Sequence, residues 1–209
     1  NLFVPCFIDQ LSPETAFNTV KVLEKLACEI SYNTKQTCCG QPAFNSGHWD
    51  EARVLAQKFI EDFSADDAAY IVSPSASYLA YIKKYYKKLF EENILLLEES
   101  EKLSSRLYEL TDFLVNVLKV TDLGASFPHK VTFHDSCSAL RGYGIKEEPR
   151  KLLAQVKGLE LIEMEESETC CGFGGTFSVK HKFISSSMTE MKVRNAMKTG
   201  AEYIVSTEA

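Results

Sequence analysis

Apolar positions along this chain follow two periods, and the switches between them mark its elements. Ala16, Phe17, Val20, Leu23, Leu26 and Ala27 recur at helical spacing behind Ser12-Pro13-Glu14, which reads as an N-cap followed by proline at the first helical position. Ala52, Leu55, Ala56, Phe59 and Ile60 predict a second helix over residues 51–63. Short runs rich in β-branched and aromatic residues predict strands at Leu2-Phe3-Val4-Pro5-Cys6, Ile30-Ser31-Tyr32 and Tyr70-Ile71-Val72. Further on the pattern predicts a strand at residues 131–133, a helix at 149–156, a strand at 159–162, a helix at 183–197 and a strand at 203–205. Helices at 78–90 and 106–120 are predicted between these sets, joined by an acidic stretch that contains Leu95-Leu96-Leu97. Strands alternating with helices imply an α/β fold with parallel strands and helices packed on the sheet.

The two sets are copies of each other. The run ending at Cys6 matches Val131-Thr132-Phe133-His134-Asp135-Ser136-Cys137, an offset of 131 residues. Thr37-Cys38-Cys39-Gly40 matches Thr169-Cys170-Cys171-Gly172 at 132, and Tyr70-Ile71-Val72-Ser73 matches Tyr203-Ile204-Val205-Ser206 at 133. Three landmarks in one order, drifting by one residue each, indicate a duplication. The expected architecture is therefore two tandem halves, each a small parallel sheet flanked by helices. The first spans residues 1–125 and includes the helical insertion at 78–120, and the second spans 126–209. Gly, Ser and Pro gather at the boundary, Gly124–Pro128.

A chain of 209 residues buries roughly 70% of its unfolded surface, so it needs neither disulfides nor metal simply to fold. Its formal charge of −6 argues against a sequence-independent nucleic-acid binder, which needs a basic surface to displace counterions. No apolar run approaches the ~18 residues of a membrane span, and the start lacks the pattern of a signal peptide. The absence of an initiator Met and the end at Ser206-Thr207-Glu208-Ala209 lead us to expect residues beyond both ends.

The seven cysteines change the picture. They are odd in number and include the adjacent pairs Cys38-Cys39 and Cys170-Cys171, which are poorly placed to bridge to each other. Clustered thiols in an acidic, cytoplasmic-type protein read as metal ligands. Ligand sites in open parallel sheets form outside the carboxyl ends of the strands. That rule gathers Cys6, Cys38 and Cys39 on one rim, and Cys137, Cys170 and Cys171 on another. Soft thiolates select zinc, copper(I) or iron–sulfur clusters. An adjacent pair suits one tetrahedral ion poorly but can reach two irons of a larger cluster. Gly40, Gly172, Gly174 and Gly175 allow close backbone approach and expose N–H donors to cluster sulfur.

On these motifs the chain resembles the CCG, or cysteine-rich, domain family, whose members include the iron–sulfur component of glycolate oxidase, lactate-utilisation proteins and the cysteine-rich component of heterodisulfide reductase. The likeness also covers Gln41-Pro42-Ala43-Phe44-Asn45, Ser73-Pro74-Ser75-Ala76-Ser77, His134-Asp135-Ser136-Cys137 and Glu163-Met164-Glu165-Glu166-Ser167, and is greatest to the lactate-utilisation branch. It implies an electron-transfer subunit of a 2-hydroxyacid-oxidising complex, with lactate oxidised to pyruvate. It also implies [4Fe-4S]-type clusters at two sites, Cys6, Cys38 and Cys39 in the first half and Cys137, Cys170 and Cys171 in the second, with other subunits of that complex as partners and a cytoplasmic location. The family places a further cysteine after the third strand of each half. In the first half that position is Tyr78, and in the second it falls near residue 211, past the end of the sequence. A phenol with a pKa of about 10 substitutes poorly for a thiolate. The first centre is therefore expected to bind a cluster weakly, with an open iron, or not at all.

Several residues carry plainer readings. Cys28 is expected to pack in the core from the first helix. His134 either hydrogen-bonds the cofactor or ties down the strand end, and His48 and Trp49 mark a helix start. His129 and His181 lie in exposed stretches without evident partners. Lys83, Lys84, Lys87 and Lys88 with Tyr81, Tyr85 and Tyr86 form either a solvated helix face or a docking surface for an acidic redox partner. The sequence shows no Ser-His-Asp arrangement, and Gly172-Phe173-Gly174-Gly175 does not fit a dinucleotide fingerprint. A cluster-dependent disulfide or thiol oxidoreductase and a zinc or thiol-sensing structural module remain as alternatives to the electron carrier.

Overall fold

Two small parallel sheets organise the chain, one in each of two units, Asn1–Phe113 and Leu114–Glu208. The structure, a computed structural model, describes residues 1–64 and 68–208. The first unit runs α1 (Cys6–Leu11), α2 (Pro13–Lys25), α3 (Gln41–Ser46), α4 (Trp49–Ser64), β1 (Ile71–Ser73), α5 (Ala76–Leu89), α6 (Ile94–Ser105), β2 (Leu107–Glu109) and the single turn α7 (Leu110–Asp112). β1 lies parallel to β2, with Ile71 opposite Leu107 and Ser73 opposite Glu109. On its other side Val72 bridges Leu2 in parallel, and Phe3 N donates to the Val72 carbonyl at 2.9 Å.

The first core is aromatic. The Phe3 ring lies 4.8 Å from Phe59 and 5.8 Å from Phe63, and Phe59 meets Tyr86 edge-on at 6.0 Å. These four side chains are fully buried. α4 presents Ala52, Ala56, Phe59, Ile60 and Phe63 inward, the helical stripe that its sequence predicts.

A π-helical turn, Phe113–Val117, leads into the second unit. This unit runs β3 (Lys130–Phe133), a second π-helical turn (Ser138–Tyr143), α8 (Glu147–Leu153), β4 (Glu160–Leu161), α9 (Thr176–Lys180), α10 (Lys182–Lys198) and β5 (Tyr203–Val205). The sheet order is β4-β3-β5, all parallel, with Val131 opposite both Leu161 and Tyr203. Central β3 buries Val131, Thr132 and Phe133. Arg150 of α8 forks onto Asp135 at 2.8 and 2.7 Å and onto Glu163 at 2.6 and 3.0 Å, with its guanidinium 4.7 Å from the Phe133 ring centroid. The Asp135 carboxyl is 2% exposed, and although burial pushes its pKa up, the Arg150 bonds prevail and hold it below the ordinary value.

The α/β class and the tandem arrangement of the halves are as the hydrophobic pattern implies. Individual elements differ. Only Leu2 of the first run pairs as a strand, and Cys6 opens α1. The strand expected at Ile30-Ser31-Tyr32 is absent, apart from one bond from Leu2 N to the Ser31 carbonyl at 2.9 Å. The Gln36 amide takes its place in the ladder, accepting from Val4 N at 2.8 Å and donating to the Leu2 carbonyl at 3.2 Å. The helix expected at 106–120 is instead β2 and two short turns, because the open edge of β1 offers backbone partners that outweigh local helix preference. Leu95-Leu96-Leu97 sits inside α6, started by Asn93, whose side chain accepts from Leu96 N at 3.2 Å.

Ser12 takes the N-cap position of α2 but makes no side-chain capping bond. Cys28 lies past the end of α2, beyond Ala27 at φ +58, and is half-buried rather than part of a helix face. His129 is partnered after all, its Nδ1 2.8 Å from Glu202 Oε2. Among the described residues no helix is long and apolar enough to cross a membrane.

Candidate metal centre

Each cysteine pair sits on a turn made possible by the glycine that follows it. Gly40 has φ +94 and Gly172 has φ +84, a region that side chains other than glycine's rarely adopt. Each glycine also faces the backbone of the helix behind it. A Cβ on Gly40 would lie 3.0 Å from the Ala52 carbonyl oxygen, and one on Gly172 only 2.6 Å from that of Ser185. The glycines are 132 residues apart and the helix residues they face 133, so the duplication seen in the sequence holds in three dimensions. In both turns the glycine N–H points back at the first sulfur of the pair, 3.5 Å from Cys38 Sγ and 3.4 Å from Cys170 Sγ.

In the first unit the three cysteines converge. Cys6 stands at the first position of α1, after Pro5, and its thiol shares a hydrogen bond with Cys38. Cys39 is 1% exposed and also bonds Cys38. Held by the thiols of Cys39 and Cys6, Cys38 has its pKa lowered to about 3, the Gly40 N–H adding to the effect. The Cys38 bond, with burial, pushes Cys6 up, and burial, with the Cys38 bond, pushes Cys39 up. Cys38 is thus the sulfur on which the other two converge.

Two tyrosines of α5 close the site behind. Tyr86 Oη donates to the Cys39 carbonyl at 2.8 Å. Tyr81 Oη is buried without a hydrogen-bond partner, 3.4 Å from where a Gly40 Cβ would stand, and burial, reinforced by the neighbouring cysteine pair, raises its pKa. An orphaned buried hydroxyl costs about 1–3 kcal/mol, and an anionic sulfur in this site would satisfy it. Tyr78 is half-buried in the first turn of α5.

In the second unit Cys137 precedes the π-helical turn Ser138–Tyr143, and its thiol bonds that of Cys170. Burial and the adjacent Cys170 raise the Cys137 pKa. Cys171 is anchored through its carbonyl, which accepts from Thr189 Oγ1 at 2.8 Å. His134 reaches the Ser167 carbonyl through Nδ1 at 3.3 Å, so its ring nitrogen ties the strand end to the loop ahead of the cysteine pair. Burial lowers its pKa, as does the charge of Lys192. Gly175 takes the N-cap position of α9, and a Cβ at Gly174 would meet only Phe177, at 3.6 Å. Among the described residues no three His, Cys, Asp or Glu side chains are arranged around a single metal ion. The donor set fits a thiolate-held iron–sulfur group, given sulfur ligands from separate segments and, in the first unit, an unmatched hydroxyl donor beside them.

Sequence reasoning missed Lys192, which is 5% exposed on α10. It shares a buried helical stripe with Ser185 and Ala196, and a lysine at that spacing was the available signal. Burial lowers its pKa, while the charges of Cys171, Glu166, Asp135 and Cys170 favour its protonated form.

Twin parallel sheets with a Cys-Cys-Gly turn on each define a cysteine-rich domain protein, and the chain belongs to that family, whose model, described as Cysteine-rich domain, matches residues 1–83 and 131–209. Among similar relatives is the lactate utilization protein A of Exiguobacterium sp. strain AT1b, 43% identical over the whole of this chain and 84% of its own length. The proteins of the same name from Bacillus thuringiensis strain Al Hakam and Bacillus cereus strain AH187 are each 45% identical, over 99% of this chain and 85% of their own.

Proposed function

We propose that this chain is the iron–sulfur electron-transfer subunit of a complex that oxidises lactate to pyruvate. The observation that carries this reading is the convergence of Cys6, Cys38 and Cys39, with Cys137 and Cys170 paired in the second unit. Bound there, a [4Fe-4S]-type cluster supplies reversible one-electron exchange. Cys6, Cys38 and Cys39 would hold it in the first unit, and Cys137, Cys170 and Cys171 in the second. The chain's own contribution is to bind and shield. Cys39, Tyr81 and Tyr86 form a buried wall behind the first centre, which limits water at the sulfurs. The names of the relatives support lactate as the ultimate donor. Oxidation of the hydroxyacid then falls to a partner subunit, and electrons pass through this chain to a further acceptor.

Purification and reconstitution without oxygen test the reading. Iron and acid-labile sulfide should bind, and dithionite should produce an EPR signal that Cys137→Ser and Cys170→Ser abolish for the second centre. Tyr78→Cys should raise the iron content of the first centre. Stoichiometric zinc without iron or sulfide would overturn the cluster assignment. Lactate oxidation by the isolated, loaded chain would overturn the carrier role.

A further inference from the structure

The two centres are not electrostatically alike. The glycine contacts align Ala52 with Ser185 and Leu55 with Met188, each 133 residues apart. The same offset aligns Lys192 with Phe59. In the first unit Phe59 is one ring of the aromatic core, 4.6 Å from Phe63. In the second unit the matching place behind the cysteine pair holds a buried ammonium. Its Nζ donates to the Glu166 carbonyl at 2.6 Å and to the Ser167 carbonyl at 3.0 Å. The Ser167 carbonyl also accepts from Asp135 N at 3.2 Å and from His134 Nδ1. The Ser167 carbonyl is thus shared: Lys192 pins the loop leading to Cys170 to α10 at the same oxygen by which the Cys137 strand end holds that loop. One turn earlier on α10, Thr189 holds the Cys171 carbonyl at 2.8 Å.

We infer that Lys192 is a positioning residue of the second cysteine centre, a buried cation that clamps the loop leading to Cys170 onto α10 at the carbonyl shared with the Cys137 strand end, and places a positive charge next to the cysteine pair. A buried ammonium needs such partners, since an unpaired charge in the interior is costly. Two carbonyls of the loop leading to Cys170 satisfy it. A cofactor held by those sulfurs gains an electron more easily beside a fixed positive charge, so Lys192 raises the potential of the second centre. The first centre has Phe59 at this place and lacks that contribution. The redox consequence rests on the iron–sulfur reading of the preceding subsection, whereas the clamp does not.

Three substitutions separate charge from clamp. In the anaerobically reconstituted protein, Lys192→Gln keeps a donor for the carbonyls and loses the charge, so the midpoint potential of the second centre should move negative. Lys192→Arg keeps the charge and should restore it toward the wild-type value. A potential unchanged in Lys192→Gln overturns the electrostatic role. In the cluster-free protein, Lys192→Met should speed amide exchange at Asp135 and Thr169 by about tenfold, the effect of losing one charge-assisted hydrogen bond, and leave the α4 amides unchanged. Unchanged exchange at both amides overturns the clamp. If the wild type takes up no iron, the iron–sulfur reading fails, and this exchange experiment still decides the clamp.

Discussion

Gly172→Ala is the sharpest test of how the cysteine turns are built. The residue has φ +84, where an alanine costs about 1–2 kcal/mol in backbone strain. Its new Cβ would stand 2.6 Å from the Ser185 carbonyl oxygen and 2.8 Å from Met188 Cβ. Both are too close, and the first is backbone, so α10 must move away from the turn. Overpacking of this kind adds about 1–3 kcal/mol. The sum, about 2–5 kcal/mol, is a large part of the 5–15 kcal/mol typical of a whole domain. Gly47→Ala is the control, since Gly47 has φ +89 but a Cβ there would meet nothing within 4 Å. It should lose only the backbone contribution. The assay is amide exchange of the cluster-free protein under native conditions. In Gly172→Ala the α10 amides should lose protection and the α4 amides should keep theirs. Equal protection of α10 in the two variants would refute the claim that the motif's glycine is dictated by helix approach.

Two further predictions concern groups away from the sulfurs. Arg150→Met leaves the buried Asp135 carboxylate without its bidentate partner, and should cost about 3–5 kcal/mol in urea unfolding of the second unit. Because the Asp135 pKa is lowered in the fold, that stability is present above its unfolded value and lost as pH falls through the folded one, and the variant should show less of this acid-side loss. Glu109 behaves in the opposite sense, since burial raises it from an ordinary 4.5 to about 7 despite bonds from Thr111 and Asp112. Between those values the folded state holds a proton that the unfolded state has released. Stability should therefore fall by about 3 kcal/mol as pH rises through that window. Glu109→Gln should remove this slope, and identical urea midpoints for variant and wild type from pH 5 to 8 would count against it.

The duplication, the parallel α/β class and the cysteine landmarks could be read directly from residue spacing, because strand and helix periods depend on which side chains must face a core and repeat wherever that demand repeats. α4 followed its local pattern closely for that reason. Other features depended on neighbours that spacing does not reveal. Residues 30–32 lost their ladder to the side chain of Gln36, and Leu107–Glu109 became a strand because β1 had an edge to fill. Lys192 is buried because α10 packs over the Glu166–Ser167 loop, a partner distant in sequence. Local covalent order decides which atoms can make an element or a ligand. Hydrogen bonds and charges between distant segments decide which of those possibilities is used, and these exist only once the chain has closed on itself.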